Sequence, residues 1–195
     1  MARLSLHGLA SVIAIGLTVA FAQYGGLFDN PGGNPALPHG GNDLLAAVLD
    51  VCETCDDVDE LATAERTRDE WEAYFRDQEH SDEGESDEGA LVGLSDEEID
   101  TLAAYLAINL PMPEDDVHDD MEVAALPADG RELMQRYCAA CHSLAVSVLP
   151  EWQIEQLWLE VLQDPHHRGI GLSEQRLEEI AAYLSINPIE PDDVR

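Results

Sequence analysis

The sequence predicts an all-α chain made of two small helical units in tandem, and three observations carry that prediction. One stretch occurs twice: LSDEEIDTLAAYLAIN over 94–109 matches LSEQRLEEIAAYLSIN over 172–187, a shift of 78 residues. Both stretches read as capped helices. Ser95 and Ser173 stand at the N-cap, Glu98 is placed three residues on as a capping-box partner, and acids crowd the first turn, where the helix dipole favours them. Upstream, Cys52-Glu53-Thr54-Cys55 matches Cys138-Ala139-Ala140-Cys141 at a shift of 86, and Trp71 matches Trp158 at 87. The shorter shift at the last helix places nine extra residues in the first copy. They fall in the acidic stretch 81–89, which has nothing to bury. Internal duplication of one helical unit is the economical account.

The rest of the chain divides around these copies. Arg3 precedes an apolar run over 4–22 that ends Ala20-Phe21-Ala22 before Gln23, the pattern of an export signal with its cleavage site. Its length is also near the ~20 residues a spanning helix needs, so an uncleaved anchor is the competing reading of 1–22. Residues 23–41 are rich in Gly and Pro and read as a linker. The first unit is expected over 42–113, an acidic linker over 114–128 and the second unit over 129–195.

Charge narrows the classes of function. Forty-one acidic residues against nine basic ones, all Arg, give a net charge of −32. Such a surface repels nucleic acid and anionic membranes, and a membrane enters only if the N-terminal segment stays uncleaved. It suits a salty medium, where screening relieves self-repulsion; steering towards a basic partner is the sharper reading, and the same salt weakens it.

The chemistry is concentrated in Cys138-Ala139-Ala140-Cys141-His142. A bare Cys-x-x-Cys is also a disulfide, a redox pair or half a zinc site, but a directly following His makes it the attachment pattern of a c-type haem. Each thiol adds across a vinyl group of the porphyrin, and the turn that carries both places His142 as proximal iron ligand. An exported chain agrees with that chemistry, because c-type haem is attached outside the bacterial cytoplasm.

Gly130 to Tyr137 leading into this motif, a Trp-bearing middle helix, and a last helix reading Leu-Ser-x-x-x-Leu-x-x-Ile-Ala-x-Tyr-Leu together resemble a small class I cytochrome c. The resemblance covers 129–190 well and 42–113 in outline. It implies two cytochrome c-like helical domains, a helix crossing made by Gly130, Met134 and Tyr183, and one covalent haem c in a periplasmic carrier. Electrons would pass between redox partner proteins, basic ones among the candidates, or the chain would serve as the electron-transfer subunit of a dehydrogenase. The sequence has no nucleophile triad, phosphate loop or metal-carboxylate cluster, so an electron carrier is expected rather than an enzyme.

Two departures from the family pattern matter. In the first copy Asp56 stands where a haem domain has histidine, so Cys52 and Cys55 are expected to form a disulfide in a domain without haem, a redox-active dithiol being the alternative. After Cys141 there is no methionine to serve as sixth ligand. His166 or His167, in the loop before the last helix, is expected instead, with a five-coordinate iron or a donor such as Met112 or Met121 as alternatives. An open distal site would make the protein a haem-based gas sensor or small haem enzyme. His80 matches His167 in its distance from the preceding Trp, and is expected to be idle. Pro150 is placed to accept a hydrogen bond from His142 on its carbonyl, and Trp152 and Trp158 to pack an amphipathic segment. If the export reading is right, N-terminal sequencing of protein recovered in soluble periplasmic extract will begin at Gln23; an intact N-terminus retained on washed membranes identifies an anchor.

Overall fold

Seven α-helices and no strand appear in the computed structural model, among the residues it describes, which are 37–52, 55–78, 93–148 and 151–187. The all-α expectation is met. The run over 4–22, residues 23–36, His80, the stretch 81–89 and Pro150 lie outside the described residues, and so do the expectations placed on them. Helices α1 (Gly41–Val51), α2 (Val58–Thr63), α3 (Arg68–Gln78) and α4 (Asp96–Asn109) make the first half. After two short 3-10 turns, α5 (Gly130–Leu133) runs into a π turn, Met134–Cys138. A second π turn, Leu144–Val148, leads to α6 (Glu155–Leu162) and α7 (Glu174–Ile186).

Local chemistry sets the helix starts. Ser95 accepts a hydrogen bond from the Glu98 N–H, and the Glu98 carboxylate accepts one from the Ser95 N–H at 2.7 Å, so α4 begins with a full capping box. Thr67 and Glu70 repeat the device at α3, and Ser173 caps α7 through the Arg176 N–H. Helix α4 is buried from Thr101 to Leu106 without a break, because it packs on its own half with one face and on α7 with another.

Each half has its own apolar core. One gathers Leu45, Leu61, Trp71, Phe75, Ile99 and Leu102, the other Leu133, Met134, Trp158, Leu162, Ile180 and Leu184. The first helix of each half crosses the last at a glycine. A Cβ on Gly41 would lie 2.4 Å from the Tyr105 ring, and one on Gly130 2.4 Å from Tyr183 Cβ, so neither position admits a side chain without separating its helices. Leu45 and Met134, one turn along, are fully buried.

Residues before each of these glycines belong to the other half. Leu37 and Pro38 match Leu126 and Pro127 at a shift of 89, the shift that also relates Gly41 to Gly130. Leu37 is buried in the second core and Leu126 in the first. Tyr183 Oη donates to the Pro38 carbonyl at 2.8 Å, and Tyr105 Oη donates to the Pro127 carbonyl at 2.6 Å. Asn109 Nδ2 donates to Glu179 at 3.2 Å, while Asn187 Nδ2 donates to Thr101 at 3.1 Å, and these pairs are related by the shift of 78. The halves are therefore joined by contacts made twice, once in each direction, and from Ala36 onward they form one compact unit. The linker reading fails at its end, over 37–41, and across 114–128, where Met121 and Leu126 are buried in the first core: these segments carry apolar side chains that the halves cover.

Two carboxyl groups are buried where the halves meet. Asp129 caps α5 through the Glu132 N–H and also accepts the Asn42 N–H, so one side chain satisfies the starts of two helices. Glu179 accepts the Gly130 N–H at 3.0 Å and the Asn109 amide. Burial pushes the Glu179 pKa up to about 8, against the opposing pull of the Gly130 hydrogen bond, with the Asp129 charge adding to the rise. A carboxyl whose folded pKa exceeds its unfolded one binds more protons folded than unfolded between the two values, so its contribution to stability falls as pH rises from about 4.5 towards 8. Thermal unfolding from pH 5 to pH 9 should therefore show a loss of stability, on the order of 2 kcal/mol, that Glu179→Gln largely removes. Equal pH dependence in the two proteins would mean Glu179 ionises as freely as an exposed acid.

Candidate functional site

One turn carries the whole Cys-x-x-Cys-His motif. Cys138 ends the first π turn, and its carbonyl accepts hydrogen bonds from the N–H groups of Cys141 at 3.1 Å and His142 at 2.9 Å. Both thiols are free. Burial raises the Cys138 pKa, and the neighbouring Cys141 adds to the rise, so the thiol stays protonated at neutral pH.

The motif faces a cavity of about 490 Å³ whose lining is mostly apolar. Met134, Val148 and Leu184 come from the surrounding elements, Trp158 and Leu162 from the inner face of α6, and His167 from the loop opposite. Trp158 is almost fully buried, yet its indole N–H has no hydrogen-bond partner in the protein. Trp71 in the first half has the same unpaired N–H, so this feature belongs to the repeated scaffold and not to the cavity.

The two loop histidines, equivalent in the sequence reading, are different in space. His166 is almost wholly exposed, and its ring Nδ1 pairs with Asp164 Oδ1 at 2.6 Å. Both histidines border the cavity, and it is His167 whose ring centroid lies 6.2 Å from that of His142. Its Nδ1 lies 2.8 Å from the Val161 carbonyl. A carbonyl only accepts, so Nδ1 carries a proton, and in the neutral ring the lone pair a metal ligand needs is on Nε2. The Asp164 side chain accepts the His166 N–H, and the Asp164 carbonyl accepts the His167 N–H, which fixes the turn that presents the ring.

These residues fit a haem. Two imidazoles on opposite sides of one ion, each with a metal–nitrogen bond of about 2 Å and a further ~1.1 Å to the ring centre, have centroids about 6.3 Å apart. The observed 6.2 Å leaves room for such an ion between the two rings. The mostly apolar lining would suit the macrocycle. Among the described residues no three His, Cys, Asp or Glu side chains form a metal-binding group. A tetrahedral zinc site would need such a group, whereas a haem iron takes only two donors from the protein.

The equivalent place in the first half is filled. Cys52 and Cys55 are joined as a disulfide. Tyr74 and Phe75 stand where the second half has Val161 and Leu162, at a shift of 87, and their larger rings pack on Trp71 with centroids 5.8 and 6.1 Å away. Tyr74 Oη accepts the Asp56 N–H at 3.0 Å, and the Asp56 carboxylate pairs with Arg66, whose guanidinium lies over the Trp71 and Tyr74 rings. Met121 is buried in the first core and Met112 packs against it; neither lines the second-half cavity.

Sequence reasoning missed the Leu-Pro-x-x-Gly repeat at 37–41 and 126–130, and the exchange of Tyr74 and Phe75 for Val161 and Leu162. Both were present as pairs at shifts of 89 and 87. No protein-family model, curated protein or solved structure matches the chain.

Proposed function

We propose that the protein is an exported c-type cytochrome that carries one covalent haem in its second half and transfers single electrons between redox partner proteins. The observation that carries this reading is the opposition of His142 and His167 across an apolar cavity beside two free thiols. Cys138 and Cys141 would hold the macrocycle as thioethers, each S–H adding across one vinyl double bond, a step that needs no oxidant. His142 would be the proximal and His167 the distal ligand. Bound there, haem supplies a one-electron ferrous–ferric couple, and a second imidazole in place of a thioether sets it at a lower potential.

The protein's contribution is to hold both rings still. His142 is tied to the attachment turn, and His167 is oriented through its Nδ1–H by the Val161 carbonyl. Trp158, Leu162 and Met134 would give the macrocycle an apolar wall to pack on. The gas-sensor reading requires a distal position that His167 leaves open.

The test is an optical spectrum of the purified protein, oxidised and reduced, with and without carbon monoxide. A low-spin spectrum whose ferrous form resists carbon monoxide is expected. His167→Ala should create carbon monoxide binding, while His166→Ala should be nearly silent. Carbon monoxide binding by the wild-type protein would favour the sensor, and absence of a haem spectrum would defeat both readings.

The filled first half makes a second prediction. Mass spectrometry should find one haem adduct, lost in the Cys138→Ala, Cys141→Ala double variant. Asp56→His completes a Cys-x-x-Cys-His motif in the first half, yet the count should remain one, because Tyr74 and Phe75 occupy the space. Only with Tyr74→Val and Phe75→Leu added should a second adduct form; a second haem on Asp56→His alone would mean that packing is not what excludes it.

A further inference from the structure

Four of the large apolar side chains exposed in this chain lie within ten residues of one another. Trp152 is 59 % exposed, Ile154 54 %, Leu157 44 % and Val161 39 %. Ile154, Leu157 and Val161 are spaced three and four apart, so they form one stripe along α6, about a quarter turn from the buried Trp158 and Leu162. Trp152 is held beside this segment by its indole N–H, which donates to the Ser185 carbonyl at 3.2 Å, and its ring remains in solvent. Val161 lines the cavity and joins the stripe to it. Trp152 and Ile154 do not line that cavity, and Leu157 borders the adjoining surface hollow with Val161, His166 and His167.

The first half is an internal control. At a shift of 87 the same four positions are Glu65, Thr67, Glu70 and Tyr74. Thr67 and Glu70 are bonded to each other as a helix cap, and Tyr74 is turned to the Asp56 N–H and the aromatic cluster. The helical scaffold thus forms with polar groups at the first three of these positions. Apolar ones appear only in the half that bears the Cys-x-x-Cys-His motif, which is the mark of an interaction surface rather than of folding.

Charge selects the occupant. Glu151, Glu155, Glu160 and Asp164 surround the stripe in sequence, and residues 151–164 include no Lys or Arg. A second copy would bring the same acids and a net charge of −32 against them. We propose that the face formed by Trp152, Ile154 and Leu157 is the docking surface for a redox protein that presents an apolar patch ringed by Lys and Arg. The proposal rests on the electron-carrier reading and specifies its partner: apolar contact gives a short approach to the cavity, and the acidic rim orients the encounter.

The test measures binding and electron transfer separately, on the full haem-loaded chain. The probe is a lysine-rich soluble cytochrome c immobilised for surface-resonance titration, with an acidic one of similar size as comparison. The double variant Trp152→Ser, Leu157→Ser should bind the lysine-rich probe at least about tenfold more weakly. Its optical spectrum should be unchanged, and its oxidation by ferricyanide, which needs no protein contact, should stay within about twofold of wild type. Raising salt from about 0.05 M to about 0.5 M should weaken the wild type's binding and leave a residual that only the variant abolishes.

Unchanged binding in the double variant overturns the proposal. So does equal wild-type affinity for the acidic probe, or a wild-type dimer in sedimentation that the variant converts to monomer, which would make a second copy the occupant. Titration does not depend on haem, so a chain that lacks a haem spectrum yet binds the probe through Trp152 and Leu157 keeps the surface and loses the carrier.

Discussion

The close approach of helix to helix at Gly41 and Gly130 is the constraint on which the remaining architecture rests. With no side chain between them, α1 comes against Tyr105 and α5 against Tyr183. Each tyrosine hydroxyl is then within reach of a proline carbonyl that enters from the opposite half. The same approach puts the Gly130 N–H on Glu179, and thereby brings Asn109 of α4 against α7. A Cβ at either glycine would press on a tyrosine that belongs to both its own core and the joint between halves, so crossing and joint cannot be perturbed separately. The placement of the motif follows, because Cys138 lies two helical turns beyond Gly130 on the chain that this crossing positions.

One scaffold borders a cavity with aliphatic side chains in one half and carries packed aromatic rings at the corresponding positions of the other. Trp71 and Trp158 occupy corresponding places, and both indole N–H groups are buried without a partner. Around Trp71, Tyr74 and Phe75 supply enough volume to close the space, and Arg66 stacks over the outer rings. Around Trp158, Val161 and Leu162 are too small to do so, and the space stays open towards His142 and His167. Interiors are packed closely enough that exchanging two aromatic rings for aliphatic side chains separates a core from a pocket. The disulfide in the first half adds a local covalent link where the second half keeps its thiols free.

The helical class and the capped last helices were legible in the sequence because their signals are local: Ser95 with Glu98, and the near-identity of 94–109 and 172–187. The Cys-x-x-Cys-His pattern was visible for the same reason, three reactive residues in five. Two matters were not. That His167 and not His166 faces His142 depends on the turn Asp164 makes and on the reach of the Val161 carbonyl, which neighbouring positions in a loop do not encode. That Leu37 and Leu126 exchange cores was hidden because an isolated Leu-Pro beside glycines reads as a turn. Its burial is decided by a hydrophobic surface nearly ninety residues away.

His167 belongs mechanically to α6 rather than to α7, although it lies between them. Its Nδ1–H is held by a carbonyl in the last turn of α6, where helix carbonyls carry the negative end of the dipole. An acceptor in that position makes the imidazole a better electron donor through Nε2 and fixes the plane of its ring. The orientation of His167 is therefore tied to that of α6, which is fixed in turn by the burial of Trp158 and Leu162 on its inner side. The exposed apolar stripe flanks that side, about a quarter turn around the helix. Pressure on Leu157 and packing at Trp158 act on one rigid helix whose end holds His167, so the surface that would receive a partner and the ligand that would set the iron's properties are two ends of a single element, α6.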